Sequence, residues 1–300
     1  MVRGGFVKKA SCILSLIVLL VAAAARPLPA QDTSACRKCS LWKISSGRNT
    51  VYLLGSIHFL KKENYPLPAA MEKAFMDTSV VVFEMDMDDA GGGNDLLARG
   101  MYPPGRTLSE AIGKKTYERL RQKSAELGLD IRTLANFKPW FVTLTLLSLK
   151  LQALGFDPAY GIDRYLQVRA KKAHKEVLAL ETLGEQIDVF AGLTDRDQEA
   201  LVLQTVEDMD AMDEDLGRLV AAWRCGDGTV LTEMMLKNYG DFPVLYDRLI
   251  VRRNLKWMAA LDGYLRQGKN FLVVVGAGHL VGADGLVAML QKKGYKVEQL

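Results

Sequence analysis

Histidine is scarce in this sequence, with three in 300 residues. The composition is otherwise ordinary, because 49% of the residues are apolar and 25% are charged. These fractions exclude the biased compositions of disordered and collagen-like chains and predict a globular chain with a core. The length exceeds that of a usual single domain of about 100–200 residues but suits one larger α/β domain.

No apolar run is long enough to cross a bilayer. The run at 12–25 follows three basic residues within the first nine and is about 14 residues long, short of the roughly 20 that a membrane helix needs. This pattern predicts a secretory signal peptide over 1–30, cleaved after Ala30, with Ala25 as the alternative. The sequence thus predicts an exported protein, periplasmic or secreted, without a stable membrane span after signal removal.

An excess of positive charge is also absent from the predicted mature chain. Residues 1–30 contain four basic and no acidic residues, so the remainder has 39 − 4 = 35 basic and 35 acidic residues. A formal net charge of zero gives no electrostatic footprint for nucleic acid, and we expect no nucleic-acid partner.

Three cysteines remain after signal removal: Cys36, Cys39 and Cys225. Export permits disulfides, and the motif CRKC in the N-terminal segment 31–40 predicts a small Cys36–Cys39 loop. Free thiols are one alternative. A zinc half-site is the other, although no second pair of ligands shows the required spacing.

The order of predicted elements defines the fold class. Two strands around the turn SSGRN are predicted over 41–58, and further runs typical of strands lie at 80–86, 176–182, 271–280 and 296–300. Most of the region between them has helical patterns. We predict one α/β (or α+β) domain over 41–300, with a central sheet built from N- and C-terminal strands. The large helical middle region forms a cap or second layer.

Four of the predicted strands are each followed by a polar residue at the carboxyl end. These residues are His58, Glu84, Glu181 and His279. Ligands bind at the carboxyl edge of parallel strands in α/β sheets. If the four strands are neighbours, the four side chains converge on one site.

Two of the three histidines occupy matched motifs, Gly-x-x-His at 55–58 and at 276–279. The third, His174, lies in a charged stretch and is predicted to be on the surface. His, Glu and His suit a divalent metal with open coordination positions. They also suit metal-free acid–base catalysis, and spacing does not separate these two interpretations.

Arg253 is a further candidate. It lies with Asn254 on the apolar face of a predicted helix over 244–265, and a buried guanidinium needs a partner. One interpretation is snorkelling or a structural salt bridge. The other is that Arg253 reaches the carboxylates of the site or a bound anion.

Several motifs together resemble the TraB/GumN family, which is related to the TIKI proteins and more remotely to the erythromycin-esterase and ChaN-like superfamily. The similar segments are LWKISSGRNTVYLLGSIHFL, VVVFEMD, KPW, LALETLGEQ, RRN and VVVGAGHLVG.

The resemblance implies a site and a chemistry. TIKI proteins are metal-dependent proteases that use the two Gly-x-x-His motifs and a Glu. By that resemblance His58, Glu84 and His279 would bind a divalent ion such as manganese or cobalt, or zinc, and a bound water would attack a peptide carbonyl. Arg253 would stabilise negative charge or position the carboxylate, and Glu181 would orient a ligand.

The expected function is therefore an exported metal-dependent hydrolase that is peptidase-like and acts on a peptide or protein. The remoter relatives define the alternatives. The erythromycin-esterase relatives suggest a metal-free ester or lactone hydrolase, and the ChaN-like relatives suggest a non-catalytic module that binds haem, iron or a protein.

Overall fold

The computed structural model describes residues 36–88, 92–236, 239 and 242–300. The predicted signal peptide over 1–30 lies outside the described residues. A six-stranded mixed sheet forms the centre, in the order β4-β3-β5-β2-β1-β6. The strands are β1 (Leu41–Ser45), β2 (Thr50–Ser56), β3 (Val80–Phe83), β4 (Glu176–Ala179), β5 (Phe271–Gly276) and β6 (Val297–Gln299).

The sheet combines both ends of the described chain, which confirms the predicted α/β architecture. Strands β2, β5, β3 and β4 are parallel neighbours, whereas β1 is antiparallel to both β2 and β6. Every residue of β3 and β5 is buried. These strands consist of almost continuous apolar residues because parallel strands are covered on both faces.

Helices cover the sheet and form the middle of the chain. No helix within the described ranges is long and apolar enough to cross a membrane. The α-helices are α1 (Ala69–Asp77), α2 (Gly92–Gly100), α3 (Leu108–Ala111), α4 (Lys114–Glu126), α5 (Pro139–Ala153), α6 (Ile162–Lys172), α7 (Leu183–Ala191), α8 (Asp195–Asp208), α9 (Met212–Arg224), α10 (Gly228–Leu236), α11 (Pro243–Tyr246), α12 (Arg252–Tyr264) and α13 (Leu286–Lys292).

The helix predicted over 244–265 contains a π-helical segment. Residues Asp247–Val251 form this segment between α11 and α12, where the backbone N–H of Arg252 donates to the carbonyl of Asp247. A π turn shifts the register of the residues that follow it, and such turns are frequent at functional sites. Arg253 is the second residue of α12 and is buried.

The disulfide prediction was wrong. Cys36 pairs with Cys225, whereas Cys39 is a free, buried thiol whose pKa burial raises to about 11. The N-terminal segment crosses the end of α9, because the backbone N–H of Ser40 donates to the carbonyl of Trp223 (3.2 Å). This path brings Cys36 to Cys225, although 189 residues separate them in sequence.

Removal of this bridge should destabilise the protein. Cys36→Ser with Cys225→Ser should lower the free energy of unfolding by about 2–4 kcal/mol, because the bridge closes a long loop and restricts the unfolded chain. Urea unfolding measures the loss, with Cys39→Ala as a variant that keeps the bridge. Non-reducing peptide mapping should recover Cys36 linked to Cys225, and a Cys36–Cys39 peptide would contradict this pairing.

Candidate active site

The carboxyl ends of four adjacent parallel strands meet at one edge of the sheet. Across β4, β3, β5 and β2, the order of the residues that follow the strands is Glu181, Glu84, His279 and His58. Arg253 reaches the same place from α12, and all five side chains are buried. The structure thus brings together all the residues predicted from sequence, because the strands that precede the acids and histidines are neighbours.

The guanidinium of Arg253 lies at the centre of this cluster. Its Nη2 donates to Glu84 Oε2 (2.5 Å) and to Glu181 Oε1 (2.5 Å), and its Nε also donates to Glu181 (3.0 Å). Its Nη1 donates to His279 Nε2 (3.0 Å) and to the carbonyl of Leu249 (3.2 Å). A guanidinium has five N–H donors, so this arrangement uses all of them.

This pairing distinguishes between the two interpretations of Arg253. The side chain is not snorkelling, since its head is buried and bound to both carboxylates. Burial lowers the pKa of Arg253, but the charges of Glu181 and Glu84 raise it above its ordinary value. The guanidinium also lies 4.7 Å from the centre of the Trp257 ring, a cation–π contact. In this arrangement no N–H remains for a substrate oxyanion.

Glu84 and Glu181 are held by neutral donors as well as by the arginine. Glu84 Oε1 accepts from the backbone N–H of Gly276 (2.6 Å), at the end of the adjacent strand. Gln186, in the first turn of α7, donates to Glu181 Oε1 (2.9 Å) and to Glu84 Oε2 (3.3 Å). The two carboxylates therefore share an amide and a guanidinium, which fixes their positions.

His279 is fixed as a neutral imidazole. Asn254 donates through Nδ2 to the carbonyls of His279 (3.1 Å) and Asp284 (2.7 Å), so its Oδ1 faces the ring and accepts from His279 Nδ1 (2.8 Å). Nε2 then carries the lone pair that accepts from Arg253. Burial lowers the pKa of His279 well below its usual value, and the charges of Arg253 and His58 lower it further.

His58 is held by an aspartate that the sequence interpretation missed. Its Nδ1 donates to Asp163 Oδ2 (2.6 Å), and its buried Nε2 has no hydrogen-bond partner among the described residues. Burial lowers the pKa of His58, but the charge of Asp163 and the hydrogen bond to it, with the charge of Glu84, raise it above its usual value. Arg253 opposes this rise.

A glycine makes the contact between His58 and Asp163 possible. Gly161 precedes α6, and a Cβ there would come within 2.2 Å of the carbonyl oxygen of His58. The next residue, Ile162, donates its N–H to the carbonyl of Ile57 (3.0 Å). The first turn of α6 therefore packs directly on the end of β2, and Asp163 reaches the imidazole.

Three residues of the site were absent from the predicted set: Asp163, Gln186 and Asn254. The sequence indicates only that Asn254 lies on an apolar helix face. A similar signal could have found the other two, because each is a polar residue that is buried in the first turn of a helix. Asp163 lies in α6, which follows Gly161, and Gln186 lies in α7, which follows β4. A buried polar side chain needs a partner, and here the partners are the site residues.

The metal prediction has mixed support. No group of three or more His, Cys, Asp or Glu side chains within the described part of the chain is spaced to hold a metal ion. His279 Nε2 lies 4.0 Å from Glu84 Oε1, and Arg253 bonds to both residues. The donor chemistry nevertheless fits, because both histidines direct Nδ1 to a fixed oxygen. Metal-ligating histidines have this second hydrogen bond, and Nε2 is the atom that would face an ion.

The profile of the TraB/PrgY/gumN family matches residues 40–299. This chain belongs to the TraB/PrgY/gumN family. The matched range contains all the residues of the site, including both Gly-x-x-His motifs. The resemblance inferred from the sequence motifs is therefore confirmed.

The relatives of this chain include both uncharacterised proteins and proteins named as metalloproteases. The TraB/PrgY/gumN chain is 28% identical to the uncharacterised protein YbaP of Escherichia coli, over 82% of this chain and 89% of that protein. It is 22% identical to a metalloprotease TIKI homolog of Nematostella vectensis, over 95% of this chain and 74% of that protein. It is also 22% identical to human metalloprotease TIKI1, over 95% of this chain and 68% of that protein. No solved structure matches the chain.

Proposed function

We propose that this TraB/PrgY/gumN protein is a metal-dependent hydrolase of peptide bonds, with its reacting centre at His58, Glu84 and His279. One observation carries the proposal. His58 is fixed through Nδ1 by Asp163, while its buried Nε2 has no partner among the described residues. A buried polar atom without a partner is costly in a natural protein and calls for an explanation, of which a catalytic role or a bound ion is one. The name of the TIKI metalloproteases supports the reaction class.

His58, Glu84 and His279 would hold the divalent ion, and manganese or cobalt are the ions that we expect. When bound, such an ion supplies Lewis acidity and lowers the pKa of a bound water. Asp163 and Asn254 act as positioning residues, since each holds one imidazole in the tautomer that presents Nε2. Gln186 and the backbone N–H of Gly276 hold Glu84 in place.

Export is part of the proposal. A disulfide persists in oxidising compartments and is rare in the cytosol, so the Cys36–Cys225 bridge supports a periplasmic or secreted protein. The signal-like pattern over 1–30 supports the same location. A peptide or protein is the substrate that we expect there.

The experiment compares metal-stripped protein with protein reloaded with Mn(II) or Co(II). Each is incubated with a peptide library, and mass spectrometry identifies new termini. We expect cleavage by the reloaded protein, none after chelation, and none by reloaded His279→Ala. Failure of the Mn(II)- and Co(II)-loaded protein to cleave any peptide would contradict the proposal, as would equal cleavage by wild type and His279→Ala.

A second candidate function has a specific observation in its favour. Arg253 already supplies a fixed positive charge to Glu84 and His279, which favours a metal-free ester or lactone hydrolase with His58 as base. In that case ester hydrolysis should survive exhaustive chelation and be lost in Glu84→Gln. Loss of hydrolysis on chelation would exclude this candidate.

Replacement of Asp163 tests the orientation of His58. Asp163→Asn should reduce the rate of cleavage by about 10–100-fold, the usual effect of losing a partner of a metal-ligating histidine. An asparagine can donate to Nδ1 and so stabilise the wrong tautomer. The measurement is kcat and KM for a peptide found in the library, together with Mn(II) affinity.

The matched control is Asp157→Asn. Asp157 is exposed, precedes the same helix, and caps a short turn through the N–H of Ala159, a role that asparagine also fills. Its activity should equal that of wild type. A rate for Asp163→Asn within twofold of wild type would show that His58 does not depend on Asp163.

A further inference from the structure

We infer that Arg253 and the divalent ion are alternative occupants of the same ligands. In the arrangement described here, Arg253 is the counter-cation of the metal-free site. Metal binding then moves its guanidinium off His279 and Glu84 and leaves it paired with Glu181. This inference rests on the proposed function and adds a regulatory step to it.

The first argument is charge. Glu84 and Glu181 are both nearly inaccessible, with side chains 6% and 3% exposed. Two carboxylates in such a place need a cation, since an uncompensated buried charge is very costly. Among the described residues, Arg253 is their charged partner within 4.0 Å, whereas His279, at 4.0 Å from Glu84, is neutral. The metal-free fold therefore depends on Arg253 for its local charge balance.

The second argument is that the ligand atoms are already in use. A neutral imidazole has one acceptor nitrogen with one lone pair. His279 directs that lone pair, on Nε2, to Nη1 of Arg253. The same lone pair cannot bind a metal and accept this hydrogen bond. His58 Nε2 has no such partner in the part of the chain that the structure describes, so an ion could bind His58 directly but could reach His279 only by displacing the arginine.

The third argument is that the guanidinium of Arg253 keeps hydrogen-bond partners when it leaves His279 and Glu84. Nε donates to both oxygens of Glu181 and Nη2 donates to Oε1, while Nη1 keeps the carbonyl of Leu249. Displacement therefore costs Arg253 the bonds to His279 and Glu84 and leaves its other bonds intact. This division explains why the site has two carboxylates. Glu84 would serve the ion, and Glu181 would retain the arginine.

The experiment compares the binding of Mn(II), and separately of Co(II), by wild type, Arg253→Met and Arg252→Met. Arg252 is the matched control, since it is the adjacent residue, carries the same charge, and has a side chain 72% exposed and paired with Asp247. Calorimetry gives the affinity, and melting curves with and without Mn(II) report stabilisation. We expect Arg253→Met to bind Mn(II) at least about 10-fold more tightly than wild type, corresponding to about 1.4 kcal/mol.

The melting temperature of Arg253→Met should also rise more on addition of Mn(II), because the ion replaces the missing cation. Arg252→Met should behave like wild type in both measurements. Equal or weaker binding by Arg253→Met would overturn the inference and leave the proposed function standing. Absence of Mn(II) and Co(II) binding in both wild type and Arg253→Met would overturn the metal requirement itself, and the inference with it.

A crystal structure of wild type with Mn(II) keeps the test independent of how the variant folds. We expect Arg253 to be separated from His279 Nε2 and still bonded to Glu181. An ion bound at His58 and His279 with the Arg253–His279 hydrogen bond retained would overturn the inference.

Discussion

Arg253→Met should lower the free energy of unfolding by about 3–5 kcal/mol in metal-free buffer, the loss expected when one partner is removed from a buried ion pair. Methionine fills much of the arginine volume, so the loss of packing is small. The main cause is that Glu84 and Glu181 are left buried without a cation. Urea unfolding in the presence of a chelator measures the effect.

Two further variants identify the cause of this loss. Arg252→Met removes an exposed arginine and should change stability by no more than about 0.5 kcal/mol. Arg253→Met combined with Glu84→Gln and Glu181→Gln should recover much of the stability, because the uncompensated charges are gone. A loss below about 1 kcal/mol in the single variant would show that the carboxylates do not depend on Arg253.

His58→Gln should reduce peptide hydrolysis by at least about 10³-fold, comparable to the loss of a catalytic acid–base group or metal ligand. Glutamine has an amide that can still donate to Asp163, so the buried carboxylate keeps a partner. The variant lacks the lone pair of Nε2, which is buried and has no hydrogen-bond partner among the described residues. The measurement is kcat/KM for a library peptide with Mn(II) or Co(II), with circular dichroism as the test of folding.

The control for this variant is His174→Asn. His174 is exposed and has a positive φ of 53°, a conformation that asparagine adopts more readily than most residues. Its activity should match that of wild type. If folded His58→Gln retained more than a tenth of the wild-type rate, His58 would be a packing residue and the proposed site would be wrong.

Much of the fold could be predicted from the sequence because strand and helix patterns are local. Apolar runs such as 271–280 indicated strands, and a glycine followed three residues later by histidine marked two strand ends. Ligands bind at the carboxyl edge of parallel strands, and this predicted that the residues after the strands form one group: His58, Glu84, Glu181 and His279. Arg253 was a further candidate because a buried guanidinium requires a partner.

The sequence by itself thus determined the fold class, the family resemblance and which residues stand at the strand ends. Only the tertiary structure decided what each side chain contacts. His58 and Asp163 are 105 positions apart, and Arg253 and Glu84 are 169 apart. Cys36 likewise bonds to Cys225 and not to nearby Cys39. The physical reason is that these contacts depend on strand order and on where helices cross the sheet, and local patterns do not encode either.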